Sequence, residues 1–225
     1  MPAHRRRVPV YLLVILSALG LLFQKRSSSG AEPPPATAGT ATQLRTFEIP
    51  AAKPVISLAI PASWNTEVTE DRITCDSPDG GFMLRYEIRS APPAGSDKQM
   101  ALSVLQSSVD WLAEKVKRAR GGANHGKLLD TMKTLAVLGR QSDDEIARLV
   151  KGQKTNLGGF AWTAVPLQRA DVPKEAKSSV HSLSFAEAGN GRLLITDQWY
   201  STDAKDSPHL TEFARIIATA KKVGP

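Results

Sequence analysis

Polar and apolar positions alternate most cleanly between Phe82 and Arg89. Phe82, Leu84, Tyr86 and Ile88 fall on one side, and Met83, Arg85, Glu87 and Arg89 on the other. A period of two predicts a strand with one dry face and one partly wet face. Ile56, Leu58 and Ile60 alternate in the same way with Ser57 and Ala59, and Pro61 ends that strand because it has no N–H to give to a ladder. Arg72 to Asp76 is a shorter strand, and Ser77-Pro78-Asp79-Gly80-Gly81 is the hairpin turn that follows it. Strands are also predicted for Phe160–Leu167, after Gly158-Gly159, and for Val180–Glu187 and Arg192–Tyr200, which are joined through Ala188-Gly189-Asn190-Gly191. The polar stretch 171–177 reads as a loop.

The period changes to that of a helix after Pro92, Pro93 and Gly95. Ser96 is positioned as an N-cap with Gln99 completing a capping box, and Ala101, Leu105, Val109, Leu112 and Val116 form one apolar stripe. Lys115, Lys117, Arg118 and Arg120 crowd the C-terminal end, where the macrodipole favours cations, and Gly121-Gly122 stops the helix. Trp111 lies off that stripe and is the candidate for an exposed contact. From His125 to Asn156 the pattern is ambiguous: Leu128, Leu129, Met132, Leu135 and Leu138 suit a helix or a strand, and Ser142 to Gly152 suits a short capped helix. Ser207 and Pro208 open a closing helix carried by Leu210, Phe213, Ile217 and Ala220.

The first 31 residues hold Arg5, Arg6, Arg7, Lys25 and Arg26, no acid, and an apolar run from Val8 to Phe23. That is the pattern of an export address. A run of 16 residues falls between a signal core and a spanning helix, so two outcomes stay open. Ser29 and Ala31 supply a small-x-small site that suits cleavage, whereas Lys25 and Arg26 suit a retained anchor. Residues 32–42 (EPPPATAGTAT) are a linker unable to bury enough surface to fold, and residues 43–225 are read as a single domain. The expected location is periplasmic or extracellular, with residues 8–23 as the tether if they are kept.

Export changes how the charge is read. The chain carries 29 Lys and Arg against 22 Asp and Glu, but five of the basic residues belong to the leader, which leaves the remainder at +2. Nucleic acid is therefore not expected as a partner. Cys75, the single cysteine, can form no internal disulfide and alternates with Ile73 as a buried strand residue.

The order of meander, long helix, strands, hairpin and closing helix, with Ile60-Pro61-Ala62-Ser63-Trp64 and Asp76-Ser77-Pro78-Asp79-Gly80, resembles the PsbP-like α/β/α sandwich of exported bacterial proteins. The resemblance covers roughly Leu44 to Val223. It implies an α/β (α+β) fold with a central antiparallel sheet flanked by helices, and a non-enzymatic accessory or assembly role.

No constellation for catalysis, cofactor or metal is read in the sequence. His125, His181 and His209 share no ligand spacing and have no cysteine beside them. His181 alternates with Leu183 and Phe185 as a packed strand residue, and His209 stands in the first turn of a helix, where a positive charge is unfavourable. Ser103, Ser107 and Ser108 lie within a helix, outside any nucleophile elbow. Asp76, Asp79, Asp203 and Asp206 occupy turn and cap positions, and Trp64, Trp162 and Trp199 read as packing residues.

The function expected is thus an exported binding or assembly module, placed ahead of an enzyme. Its candidate surface is Trp111, Lys115, Lys117, Arg118 and Arg120, and its candidate partner is a protein or an anionic membrane surface. The alternatives are an exported hydrolase whose residues meet only in the fold, which a pocket with a hydrogen-bonded His and carboxylate would favour, and a carrier for a small apolar ligand, which a closed apolar cavity would favour.

Overall fold

The computed structural model describes residues 43–92, 97–140, 154–165 and 178–224. The leader, the linker, the Ser96 cap, the helix read at Ser142–Gly152 and the loop at 171–177 lie outside the described residues.

The chain forms β1 (Leu44–Ile49), β2 (Ile56–Pro61), β3 (Asn65–Val68), β4 (Arg72–Asp76) and β5 (Phe82–Ser90). Helices α1 (Asp97–Arg118) and α2 (His125–Leu138) follow. Next come β6 (Lys154–Leu157), β7 (Phe160–Val165), β8 (Ser179–Gly189) and β9 (Arg192–Ser201). A 3₁₀ turn (Thr202–Asp206), helix α3 (His209–Thr219) and β10 (Lys221–Lys222) close the domain. The ambiguous run at Leu128–Leu138 is helical.

Seven strands form an antiparallel sheet in the order β3-β4-β5-β9-β8-β7-β6, and β1-β2-β10 form a smaller sheet. Strand alternation gives the large sheet two buried faces. Met83, Leu183, Phe185, Leu193, Ile195 and Trp199 pack under α1 and α2. Leu84, Tyr86, Ile88 and Leu194 pack with β2, Trp64 and Phe213 of α3. The fold is mixed α/β with an antiparallel sheet between layers, as expected, and the smaller sheet shares one of those layers with α3.

One expectation fails here. Met83, Arg85 and Glu87 are buried, so of the face expected to be partly wet only Arg89, which pairs with Glu87 at 2.9 Å, is exposed. Helix α1 covers the other three, and the two charged side chains enter the interior as partners of each other, a pairing that alternation alone does not reveal.

Turn chemistry sets the hairpins. Gly80 stands at φ +66° in the β4–β5 turn, and Ser77 N–H closes the turn on the Phe82 carbonyl at 2.9 Å. Gly189, Asn190 and Gly191 all have positive φ between β8 and β9, where a branched residue would be strained.

Candidate functional site

The long helix buries a different face from the one its apolar residues suggest. Ala101, Val104, Leu105, Ser107, Ser108, Trp111, Leu112 and Lys115 are the buried positions, whereas Val109 and Val116 are half-buried. Trp111 is 1% exposed. The expectation that it offers an external contact is therefore wrong, and the reason is chemical: serines and a lysine share the buried stripe, so apolarity misplaces the helix face. Lys115 also leaves the candidate surface. Its ammonium is inside, donating to both Asp76 oxygens at 2.7 and 2.6 Å, while Trp111 lies against it and against the Arg85 guanidinium. Arg118 is exposed and pairs with exposed Glu67, a contact worth little in water. Lys117 and Arg120 are exposed as expected.

The polar group that draws α1 onto the sheet is centred on Arg85. Its Nε donates to Asp197 Oδ2 at 2.7 Å, Nη2 donates to the same carboxylate, and Nη1 reaches Glu87 Oε2 at 2.6 Å and Ser107 Oγ at 2.8 Å. Asp197 Oδ1 accepts from Ser108 Oγ and from His181 Nε2, the latter at 2.9 Å. Arg85 and Asp197 face each other across β5 and β9, and His181 comes from β8. Burial alone pushes the Asp197 carboxyl up, but the Arg85 charge and the bonds from His181 and Ser108 outweigh it and hold it below the usual range. His181 Nδ1 is buried with no hydrogen-bond partner, and Nε2 carries the proton donated to the Asp197 carboxylate.

A serine, an aspartate and a histidine thus meet, but in an order that does not make a nucleophile. The carboxylate stands between hydroxyl and imidazole and takes a hydrogen bond from each. A general base must touch the hydroxyl it activates. Here the Ser108 proton points at an ionised carboxylate inside a packed core, and its oxygen faces no open site.

A second histidine–carboxylate pair sits at the start of α3. His209 Nδ1 lies 2.8 Å from Glu212 Oε2, which also accepts from Trp64 Nε1 at 2.9 Å. Burial acts to raise the Glu212 pKa, but the Trp64 N–H, then His209 and Arg215, bring it below the ordinary value. The nearby Ser207 hydroxyl is donated to Asp79 Oδ2 at 2.7 Å. These contacts tie the helix to the strands beneath it, and the position that looked unfavourable for a histidine is compensated by Glu212 one turn on. His125 Nδ1 meets the Val116 carbonyl at 3.1 Å.

Asp197 does not stand out in the sequence, Arg85 falls there on a partly wet face, and Ser107 and Ser108 are set aside as helix residues, so the four are not brought together. Their signal is an opposite charge on each of two strands that read as central, together with two serines on the helix that crosses them. Cys75 is buried as expected, and burial pushes its thiol pKa far above the ordinary value. Trp64, Trp162 and Trp199 are all buried. Among the described residues no group of three or more His, Cys, Asp or Glu is placed to hold a metal ion, and no described helix is long and apolar enough to cross a membrane.

Between α1 and α2 runs a groove of about 320 Å³ lined by Leu102, Leu105, Gln106, Val109, Leu135, Ala136, Gly139 and Arg140.

No protein-family model matches the chain, and no curated protein matches it. Among solved structures it has a weak PsbP-like resemblance: it is similar to the solution structure of cyanobacterial PsbP (CyanoP) from Synechocystis sp. PCC 6803, with 10% identity and a TM-score of 0.41, over 88% of this chain and 99% of that one.

Proposed function

We propose that this chain is an exported, non-catalytic binding or assembly module of the cell envelope. The observation that carries the reading is the placement of Asp197 between Ser108 and His181, which uses the most reactive-looking group of side chains to fix α1 on the sheet. The acid-free basic start and the apolar run Val8–Phe23 support the location. The hydrolase alternative needs a hydroxyl that is open to substrate and in contact with a free base; Ser108 is buried, and the carboxylate it touches is already held by Arg85.

Two measurements test this. Full-length protein treated with a fluorophosphonate is expected to remain unlabelled, and covalent modification of Ser108 would overturn the non-catalytic reading. A fusion of Met1–Ala31 to a reporter that is active only outside the cytoplasm is expected to be active, and retention in the cytoplasm would overturn the location.

A further inference from the structure

The chain is almost neutral once the leader is set aside, but its charge is not evenly spread. Separate segments meet where β10 joins the smaller sheet to the β6–β7 hairpin. Val223 N–H donates to the Val55 carbonyl at 2.9 Å, Lys222 N–H donates to the Gly158 carbonyl at 2.6 Å, and a Cβ on Gly159 would lie 3.1 Å from the Lys222 Cβ. The segments are 50–55 (PAAKPV), 154–160 (KTNLGGF) and 220–224 (AKKVG), which together hold four lysines and no acid. Lys53, Lys154, Lys221 and Lys222 are all exposed, and none carries an ion pair among the described residues. Glu48 borders the group, two strands from Lys221 with Ser57 between them.

The C-terminal end of α1 is different. Lys115 is inside, Arg118 is paired with Glu67, and Glu114 lies 3.7 Å from Arg72, so acids interleave the cations there. At the β10 edge the cations stand together and leave their charge uncompensated.

The residue types select the partner. All four cations are lysines, whose flexible ammonium gives diffuse attraction and lacks the planar fork with which an arginine grips one carboxylate or phosphate. Ala51 and Ala52 are exposed in the loop before β2, and Leu157, 38% exposed, precedes the hairpin turn, so apolar groups are presented among the lysines. Lysine stems lie along apolar surface while the ammonium stays at the level of lipid headgroups. Each lysine close to an anionic bilayer adds its own increment of attraction. Resting on the reading of the chain as an exported envelope module, we propose that this edge is the face on which the domain lies against an anionic lipid bilayer, with Leu157 at the headgroup boundary and Lys53, Lys154, Lys221 and Lys222 over the lipid phosphates.

The test uses the full-length protein with Leu157→Cys carrying an environment-sensitive fluorophore. Cys75 is buried, so the introduced thiol is labelled alone. Residues 8–23 can bring the whole chain to any vesicle, so the signal read is the spectral shift at residue 157 and not sedimentation. Phosphatidylcholine vesicles containing phosphatidylglycerol are expected to shift the dye to shorter wavelength, less so as ionic strength rises, and phosphatidylcholine alone is not. Lys221→Gln with Lys222→Gln, and separately Lys53→Gln with Lys154→Gln, should each raise the phosphatidylglycerol needed for half the shift by about tenfold or more. Lys117→Gln with Arg120→Gln, at the end of α1, should leave it unchanged. The two lysine pairs are at exposed positions, and an unchanged circular dichroism spectrum checks that each variant is folded. No shift, an equal shift on neutral vesicles, indifference to both lysine pairs, or a shift produced by a glutamate-rich peptide but not by vesicles would overturn the proposal. Cytoplasmic retention of the Met1–Ala31 reporter fusion would remove the location whatever the vesicles do, whereas an exported protein that ignores anionic vesicles removes this face alone.

Discussion

Arg85 is the residue on which the helix–sheet contact depends, because it is a fully buried cation held between two carboxylates and a serine. Replacing it with Met keeps much of the volume but leaves Asp197 buried without its countercharge, which costs about 3–5 kcal/mol in comparable sites. Urea unfolding of Arg85→Met should show a loss of that size, and a change below about 1 kcal/mol would mean that the network is not structural. The same cluster explains why Trp111 could not be placed from the sequence. Hydropathy ranks Ser107, Ser108 and Lys115 as surface residues, and only the through-space presence of Arg85, Asp197 and Asp76 makes the inward face of α1 polar. Cys75 was legible because its environment is simple, a small apolar group alternating with Ile73 in a covered strand.

At the scale of elements, legibility follows burial. The strands β2, β5, β8 and β9 and the closing helix carry strong periodic patterns and were placed within a few residues. Short edge strands were not predicted. All four residues of β6 are exposed and β10 has only two residues, so neither has an apolar face to betray it. What holds the β6–β7 hairpin in place is a close backbone approach. Lys222 N–H donates to the Gly158 carbonyl at 2.6 Å, and a Cβ on Gly158 would come within 2.1 Å of the Ala220 carbonyl oxygen, at φ +61°. Gly158→Ala should therefore cost more than the roughly 1–2 kcal/mol of a left-handed conformation alone. Gly121→Ala, at φ +81° with nothing within 4 Å, should cost only that conformational part. Thermal unfolding of the two variants measures the difference, and equal losses would show that the approach of β10 to the hairpin is not tight.

For the molecule as a whole, two apolar cores on opposite faces of one sheet, with no disulfide available, make stability a property of packing and of buried charge together. That combination predicts the pH profile of unfolding. Asp197, Asp79 and Glu212 all have folded pKa values held below their ordinary ones. For each, burial acts in the opposite direction and is outweighed by hydrogen bonds and neighbouring positive charge. A depressed folded pKa means that the unfolded chain takes up protons first, so the stabilisation is complete above the ordinary carboxylate range near about 4 and is lost as pH falls through it. Cys75 and Tyr86 behave in the opposite sense. Burial raises both, so the unfolded chain releases their protons first, and stability declines once pH rises past about 8.5 and then about 10. Denaturant unfolding of the fragment 43–225, which should fold cooperatively and without sensitivity to reductant, is expected to give a plateau near neutrality between these two limbs. Asp197→Asn should lower the plateau and flatten the acid limb, because that variant no longer has a carboxylate to protonate there. Tyr86→Phe should leave the acid limb intact and soften the alkaline one. An acid limb equally steep in Asp197→Asn and wild type would remove the buried network from any part in the acid sensitivity and leave it to the exposed carboxylates.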